Sequence, residues 1–387
     1  MRIFISTGEV SGDLQGSLLI TALKNQAASS GLELEIVALG GEKMADAGAT
    51  LIGNTTSIGS IGILEALPFI LPTLKIQRQA IAFLEENPPD LVVFIDYMGG
   101  NLPMGKYIRR HMPDVPTVYY IAPQVWVTSI GEKDTEQLIK ISDKILAIFP
   151  EEARYFQNKG ADATWVGHPL VDRMQSFPNR EAARAKLGIA DDVTCIALFP
   201  ASRSQEIKHL VPVMFEAARE IQTKLPEVHF WIPLSLKIYR EEIEKQVHKY
   251  QLRATVVSSQ QKEVLAAADL AIAKSGTVNL ELGLLNIPQV VLYRLNPFTY
   301  WVGKNILKVK ISYASPPNLL VMREIVPEFI QKTATSENIV QAAMEFLLNE
   351  QRQQQMKADY QEMQQFVGEI GVCDRAAKEI LKLGVRS

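Results

Sequence analysis

The chain has 387 residues, of which 47% are hydrophobic and 21% are charged, and these fractions are typical of a globular protein with two domains. The formal net charge of −3 excludes a general electrostatic attraction to nucleic acid. Cys195 and Cys373 are the only cysteines. They exclude a disulfide framework and a cysteine-based metal site, and a reducing cytoplasm is the expected compartment.

The first half of the chain alternates short apolar strands with helices. It begins with a strand that runs into a glycine-containing turn, a pattern that differs from a signal peptide. We predict helices over 15–26 and 76–86 and strands over 2–6, 34–39, 91–95, 117–121, 145–149 and 163–166. Strands that alternate with helices predict a parallel sheet with helices on both faces.

The same pattern restarts after a predicted linker at 167–179. A helix is predicted over 210–224, the tail is helical from 336 to 383, and strands are predicted over 194–199, 228–232, 254–257, 270–273 and 289–293. We therefore predict an α/β protein with two doubly wound, Rossmann-like domains facing across a cleft, at 1–170 and 180–345, followed by C-terminal helices at 346–387. Ligands of such sheets bind outside the carboxyl ends of the strands.

One turn of the second half has the pattern of a phosphate site. Ser275, Gly276 and Thr277 follow an apolar strand and open a helix over 278–285. Such a turn directs backbone N–H groups and the positive end of a helix dipole at one point. Glu281, one turn further, is suited to accept hydrogen bonds from ribose hydroxyls. The alternative is an ordinary helix capped by Ser275 or Thr277.

The turn after the first strand has the sequence Gly8-Glu9-Val10-Ser11-Gly12-Asp13. Its two glycines allow the backbone to approach a ligand, and Glu9 and Asp13 are suited to accept hydrogen bonds from sugar hydroxyls. The motif is not the G-x-G-x-x-G of a dinucleotide site, so NAD is disfavoured. The alternative is a plain turn with an aspartate cap.

Arg203 follows the strand at 194–199 in the sequence PASRSQEI. Its guanidinium is suited to bind a phosphate or a diphosphate in a fork. The alternative is a surface arginine that pairs with Glu206, three residues further.

Asp96 ends the apolar strand at 91–95. It is a candidate general base, and the alternative is a carboxylate satisfied by N–H groups of the turn. His168 lies in the linker, where it either contacts a ligand or packs at a domain hinge.

Two stretches are candidates for contact with a lipid surface. Residues 58–75 are apolar but interrupted by Glu65, Pro68 and Pro72, which makes the stretch too short and too broken to span a bilayer. Residues 298–310 mix aromatic side chains with three lysines, as expected at an anionic interface. For both stretches the alternative is packed core with a solvated edge.

Taken together, these motifs resemble the lipid-A-disaccharide synthase family of inverting glycosyltransferases, whose two Rossmann domains form the architecture called GT-B. Nine blocks occur in the family's order, among them GEVSGD at 8–13, IDY at 95–97, YYIAPQVW at 119–126, VGHPL at 166–170, PASRSQEI at 200–207, SGTVNLE at 275–281 and SPPN at 315–318. The chain departs from the family pattern at five positions, which are Met98, Gly99, Gly100, Thr128 and Ala201.

The resemblance implies a reaction in which a UDP-activated 2,3-diacylglucosamine donates its sugar to the 6-hydroxyl of a 2,3-diacylglucosamine 1-phosphate. Asp96 would be the base, and no metal or cofactor is expected. The donor domain at 180–345 would bind UDP, and the acceptor domain at 1–170 would work at the inner face of the membrane as a peripheral protein. The residues expected to bind UDP-sugar are Arg203, Ser275, Gly276, Thr277, Glu281 and Asn318, and those expected to orient the sugar or acceptor are Gly8, Glu9, Ser11, Gly12 and Asp13.

Two alternatives stay open on the same residues. One is an enzyme like UDP-N-acetylglucosamine 2-epimerase, which needs only a soluble substrate, and the apolar stretch at 58–75 disfavours it. The other is a non-catalytic relative that retains affinity for a nucleotide sugar or lipid. Gly99 and Gly100 leave that alternative open.

Overall fold

The computed structural model describes residues 1–56, 63–124, 132–200, 204–234, 236–294 and 313–384. Their strands form two parallel sheets, as the alternation of strands and helices predicts. Within the described residues the chain divides into two compact units, with unit 1 made of 1–173 and 366–384 and unit 2 made of 174–294 and 313–365.

The sheet of unit 1 has seven strands in the order β3-β2-β1-β4-β5-β6-β7. Their bounds are β1 (Arg2–Ser6), β2 (Glu35–Gly40), β3 (Thr50–Asn54), β4 (Leu91–Ile95), β5 (Thr117–Tyr120), β6 (Lys144–Ala147) and β7 (Ala163–Trp165). All five residues of β4 are buried, because a strand between two layers of helices packs both of its faces against apolar side chains.

The sheet of unit 2 has six strands in the order β10-β9-β8-β11-β12-β13. Their bounds are β8 (Thr194–Phe199), β9 (Val228–Pro233), β10 (Ala254–Val257), β11 (Leu270–Lys274), β12 (Gln289–Tyr293) and β13 (Glu328–Ile330). In both sheets the first strand of the unit lies in the middle, beside the fourth. The connections reverse direction there, so β1/β4 and β8/β11 are the points at which such folds bind ligands.

Helices cover both sheets. In unit 1 they are α1 (Glu9–Ser29), α2 (Glu42–Asp46), α3 (Ile63–Glu86), α4 (Met98–His111), α5 (Glu132–Lys140) and α6 (Pro150–Asn158), followed by α7 (Leu170–Met174) at the boundary of the units. The helices that follow are α8 (Arg180–Leu187), α9 (Ser204–Lys224), α10 (Arg240–Tyr250), α11 (Gln261–Ala267), α12 (Val278–Leu284), α13 (Pro316–Val321), α14 (Ser336–Leu348), α15 (Glu350–Val367) and α16 (Val372–Gly384).

The predicted C-terminal segment 346–387 is shared between the two units. Most of α15 belongs to unit 2, whereas α16 packs against α1 in unit 1. Asp172 fixes the start of α16, since its carboxylate accepts hydrogen bonds from the N–H groups of Gly371, Val372 and Cys373 at 2.6, 3.2 and 2.7 Å. This side chain supplies the acceptors that the first turn of a helix lacks.

Several helices begin earlier than the sequence predicts. The first helix starts at Glu9 rather than at residue 15, so Gly12 and Asp13 lie inside it and not in a turn. The helix predicted over 76–86 starts at Ile63 and continues through two prolines. Each proline removes one helical hydrogen bond and costs about 3 kcal/mol. Because the helix has 24 residues, most of its hydrogen bonds remain and the helix continues.

Candidate active site

The turns after β1 and β4 meet around the ring of Tyr97. A Cβ added to Gly8 would overlap this ring, and so would a Cβ added to Gly100. Burial raises the pKa of Tyr97, while a hydrogen bond with Thr73 lowers it and the charge of Glu9 raises it further. The structure therefore brings Gly8, Glu9 and the residues that follow Asp96 to one point at the β1/β4 edge.

Asp96 lies in an unusual backbone conformation at this point. Its φ angle is 47° and that of Tyr97 is 30°, so two successive residues other than glycine are left-handed. The N–H of Asp96 donates to the carbonyl of Ile121 at 3.0 Å. The carboxyl-bearing residue that the sequence singles out thus sits at the carboxyl end of β4, one residue beyond its last buried position.

Asp13 caps a helix, a role that the sequence offered only as the alternative to sugar binding. Its carboxylate accepts hydrogen bonds from the N–H groups of Gly41, Met44 and Lys43 at 2.9, 3.0 and 3.1 Å, and the side chain is buried. These bonds cap the first turn of α2. These contacts favour the alternative of an aspartate cap, and the sugar contact of Asp13 stays a prediction. Ser11 and Gly12 lie in the first turns of α1, and Ser11 is half-buried.

A buried acid near this edge escaped the sequence reasoning. Glu152 of α6 accepts hydrogen bonds from the N–H groups of Ile148 and Phe149 at 2.9 and 3.3 Å. Burial raises the pKa of Glu152 to about 8, with these hydrogen bonds lowering it and the charge of Asp96 raising it. The signal in the sequence is the position of Glu152 in the first turn of a helix that follows an apolar strand.

In unit 2 the turn after β11 is held by its own side chains. The hydroxyl of Ser275 donates to the carbonyl of Ala314 at 2.5 Å, and the N–H of Gly276 donates to Oδ1 of Asn279 at 2.7 Å. Thr277 precedes α12 but makes no capping bond with its side chain. The N–H of Gly276 is thus used within the turn, and phosphate binding by the turn at 275–277 stays a prediction.

Asn318 is fully committed as well. Its amide donates to the carbonyl of Val326 and to the carboxylate of Glu328, both at 2.9 Å, and its oxygen accepts from the N–H groups of Ile325 and Val326 at 2.7 and 2.9 Å. These four bonds use the whole hydrogen-bonding capacity of the side chain. The side chain holds the loop before β13, and a direct contact between Asn318 and the sugar stays a prediction.

Glu328 is the centre of this network, and the sequence reasoning missed its part. Its carboxylate accepts from the N–H groups of Ala314 and Ser315 at 2.8 and 2.9 Å, and from the Ser315 hydroxyl at 2.7 Å. Since Ser275 donates to Ala314, the network attaches the turn after β11 to the start of α13. Three blocks far apart in the sequence, at 275–281, 315–318 and 326–328, therefore form one assembly.

The remaining candidates of unit 2 differ in what the structure describes. Glu281 is 2% exposed, one turn into α12. Arg203 lies outside the described residues. Lys274, at the end of β11, forms an ion pair with Glu206 at 3.0 Å, and a Cβ on Gly276 would lie 3.9 Å from its ammonium nitrogen. Lys274 is a cation at the β8/β11 edge that the sequence reasoning missed.

His168 packs inside unit 1. Its Nδ1 accepts a hydrogen bond from the N–H of Leu170 at 3.2 Å, and its ring lies against Phe149. The main-chain N–H of His168 donates to the carbonyl of Val367 at 2.7 Å. Burial lowers the pKa of His168 to about 3, so the ring is neutral. These contacts favour the packing alternative over a ligand contact.

The described residues contain no group of three or more His, Cys, Asp or Glu side chains placed to hold a metal ion. Nor does any helix in the described part of the chain combine the length and apolarity needed to cross a membrane. Of the two candidate lipid-facing stretches, 298–310 lies outside the described residues. The other is described from residue 63 as part of α3, and its Leu71 and Leu74 side chains are 76% and 43% exposed.

Comparisons with known proteins agree with this architecture. A putative UDP-N-acetylglucosamine 2-epimerase from Listeria monocytogenes has a TM-score of 0.68 at 13% identity, covering 98% of this chain and 94% of its own. The MnaA–UDP structure from S. aureus has a TM-score of 0.66 at 14% identity, covering 97% and 94%. These identities show the fold alone, and the fold, with its two Rossmann-like units, is that of the GT-B glycosyltransferases.

The sequence comparison is more specific. The model of the lipid-A-disaccharide synthetase family matches residues 3–382. A lipid-A-disaccharide synthase from Gloeothece citriformis (strain PCC 7424) is 58% identical over 381 residues, which are 98% of this chain and 99% of that protein. The chain belongs to the lipid-A-disaccharide synthase family. It is an enzyme, a glycosyltransferase, and this membership favours the predicted transferase over an epimerase.

Proposed function

We propose that this enzyme transfers 2,3-diacylglucosamine from its UDP derivative to the 6-hydroxyl of 2,3-diacylglucosamine 1-phosphate and releases UDP. The observation that carries the assignment of the catalytic centre is the position of Asp96 and the Gly8–Glu9 turn together at the β1/β4 switch point. A carboxylate at such an edge is within reach of a ligand bound outside the strands. Of the two domains that the sequence predicts, the one at 1–170 binds the acceptor and the one at 180–345 binds the donor.

The chemistry requires one proton acceptor and one stabilised leaving group. Asp96 removes the proton of the acceptor's 6-hydroxyl, and the hydroxyl oxygen forms a bond to the anomeric carbon of the donor. The bond from that carbon to the UDP oxygen breaks, and the electron pair leaves with UDP. Because the attack and the departure occur on opposite faces, the anomeric configuration inverts. Glu9 and Ser11 orient the sugars beside Asp96.

The leaving UDP carries negative charge that unit 2 stabilises without a metal. Arg203 binds the diphosphate, and the turn at 275–277 lies against the phosphates. Lys274, which forms an ion pair with Glu206, precedes this turn at the end of β11. Glu281 accepts hydrogen bonds from the ribose hydroxyls. MnaA from S. aureus has the same fold and its structure is a complex with UDP, which supports a uridine nucleotide as the ligand of this architecture.

The assay that tests this function measures UDP release from UDP-2,3-diacylglucosamine with and without the lipid acceptor. We expect release that depends on the acceptor. An epimerase-like activity would instead act on a soluble UDP-N-acetylglucosamine without any lipid, and a non-catalytic relative would bind UDP in calorimetry but release none. Either result would contradict the proposal. Loss of UDP affinity in Arg203→Ala checks the nucleotide half of the site.

We also propose that the enzyme works at the inner face of the membrane as a peripheral protein. Leu71 and Leu74 on α3 expose apolar surface in the stretch that the sequence singles out, and burying such side chains at an interface is favourable. Co-sedimentation with anionic vesicles should fall in the variant Leu71→Ser/Leu74→Ser. It should persist in Ile238→Ser, which removes from unit 2 an aliphatic side chain of the same size and nearly the same exposure as Leu71, 74% against 76%. Equal losses in both variants would contradict a specific contact through α3.

A further inference from the structure

Two buried side chains converge on the main chain of Asp96. The hydroxyl of Tyr119, on β5, donates to the carbonyl oxygen of Asp96 at 2.6 Å, and the amide of Asn101, on α4, donates to the same oxygen at 3.0 Å. Asn101 also donates to the carbonyl of Ile95 at 3.1 Å, and its oxygen accepts from the Ser6 hydroxyl at 2.8 Å. Both Tyr119 and Asn101 are 0% exposed.

This convergence occurs where the backbone is strained. Asp96 and Tyr97 are both left-handed, and a left-handed residue other than glycine costs about 1–2 kcal/mol. Such a conformation persists only where the surroundings hold it. Three hydrogen bonds do so here, the two to the carbonyl oxygen and the one from the Asp96 N–H to Ile121.

The conformation determines where the carboxyl group of Asp96 points, because φ and ψ fix the direction of the Cα–Cβ bond. A turn free to relax to ordinary angles would swing this bond away. Ser6 ends β1, and Asp96 follows β4, so the network through Asn101 spans the switch point itself. Burial also raises the pKa of Tyr119, so its hydroxyl keeps its proton and stays a donor.

We infer that Tyr119 and Asn101 are positioning residues, which hold the Asp96 carboxylate in its productive direction through its main-chain carbonyl. The inference rests on the proposed function, in which Asp96 is the base. A misplacement of about 1 Å is enough to cost a catalytic group on the order of 100-fold in rate. The effect of either side chain on turnover is then expressed only through Asp96.

Tyr119→Phe is the sharpest test, since it removes one hydroxyl and keeps the ring. We expect kcat to fall roughly ten- to hundred-fold with KM for the UDP-sugar and affinity for UDP unchanged. Tyr120→Phe is the matched control, because Tyr120 is the next residue of the same strand, is equally buried, and its hydroxyl lies beside Cys373. The control should keep its kcat.

A double-mutant cycle separates positioning from a merely structural part. In the Asp96→Asn background, Tyr119→Phe should cause no further loss of turnover. A kcat within twofold of the unchanged enzyme in Tyr119→Phe, or the same fold loss in both backgrounds, would overturn the inference while leaving Asp96 as the base. If Asp96→Asn itself keeps full turnover, the catalytic assignment of the proposed function fails, and the inference fails with it.

Asn101→Asp extends the test to the second donor. It places an acceptor where two carbonyl oxygens expect a donor, so kcat should fall at least as far as in Tyr119→Phe. Because this change also weakens the fold, Tyr119→Phe carries the decision. A folded Asn101→Asp variant with unchanged kcat would count against Asn101 as a positioning residue.

Discussion

Tyr97 accounts for one of the departures from the family pattern. Its ring lies close to both Gly8 and Gly100, and a side chain at either glycine would overlap it. At Gly99 an added Cβ meets nothing within 4 Å. The Tyr97 ring therefore leaves no room for the larger residue that the family pattern has at position 100. At position 99 the described residues include no such neighbour, and the glycine leaves open space beside the proposed acceptor site.

These two glycines make a matched pair for a stability measurement. Both lie in the first turn of α4. Gly100→Ala should lower the free energy of unfolding by about 1–3 kcal/mol, because overpacking forces the confined Tyr97 ring to move. Gly99→Ala should be neutral or raise it by up to about 1 kcal/mol, since alanine favours the helix. Urea denaturation of both variants measures this, and equal effects would contradict the steric account.

Asp96→Asn tests the base itself. The substitution preserves the size of the side chain but removes its ability to take a proton. Turnover should fall by about 10²–10⁴, the usual contribution of general-base assistance, while UDP affinity stays nearly unchanged. Near-ultraviolet circular dichroism checks that the variant is folded. A folded variant with normal turnover would move the base to another carboxylate, with Glu9 next in position.

At the scale of elements, the sequence predicts the strands that are buried on both faces and misses two at the sheet edges. β1, β4, β8, β10 and β12 have the predicted bounds. A continuous apolar run is a strong signal in four of these strands, and the edge strand β10 is rich in β-branched residues. β3 and β13 each lie at one edge of their sheet and were not predicted. Their residues are partly exposed, so their composition resembles that of loops.

The candidate site was predictable to a lesser degree. The rule on strand ends predicts sites at the turns after β1, β4 and β11, and Asp96 and Glu9 are candidates because they lie at two of these turns. The site predicted after β8 includes Arg203, which lies outside the described residues. The sequence does not predict the roles of Asn318, Glu328 and Tyr119, because each role depends on contacts between residues far apart in the chain. For Asn318 the sequence could not show that its four hydrogen bonds are used within the protein.

The network around Asn318 predicts a coupled loss in one element. Asn318→Ala leaves the buried N–H groups of Ile325 and Val326 without their acceptor, which should cost roughly 1–3 kcal/mol each. Since Glu328 connects this loop to Ala314 and thereby to Ser275, UDP affinity should fall together with stability. Thermal unfolding and UDP calorimetry on the same variant measure both. Unchanged stability with lost turnover would favour a direct contact between Asn318 and the sugar.

At the scale of the whole molecule, the block VGHPL and the residues after it connect distant parts of unit 1. The main-chain N–H of His168 donates to the carbonyl of Val367, and Asp172 caps α16. The guanidinium of Arg375, on α16, donates to the carbonyl of Val166 at 3.0 Å. The returning C-terminal helix is thereby fastened beside the last strand of the first sheet. The block that holds His168, for which the sequence leaves a ligand contact open, thus makes contacts that fasten the end of the chain.

This arrangement predicts an acid-sensitive stability. The pKa of His168 is lowered by burial from about 6.5 to about 3, so between these values the unfolded chain binds a proton that the folded chain does not. The neutral ring of His168 therefore costs no stability above pH 6.5, whereas below that value the free energy of unfolding decreases. The decrease is about 2 kcal/mol at pH 5. Urea denaturation at pH 5 and 7.5 should show a smaller difference for His168→Asn than for the unchanged protein. His111→Asn removes an exposed histidine of the same unit and should keep the full difference. An unchanged difference in His168→Asn would mean that the ring is protonated in the folded state.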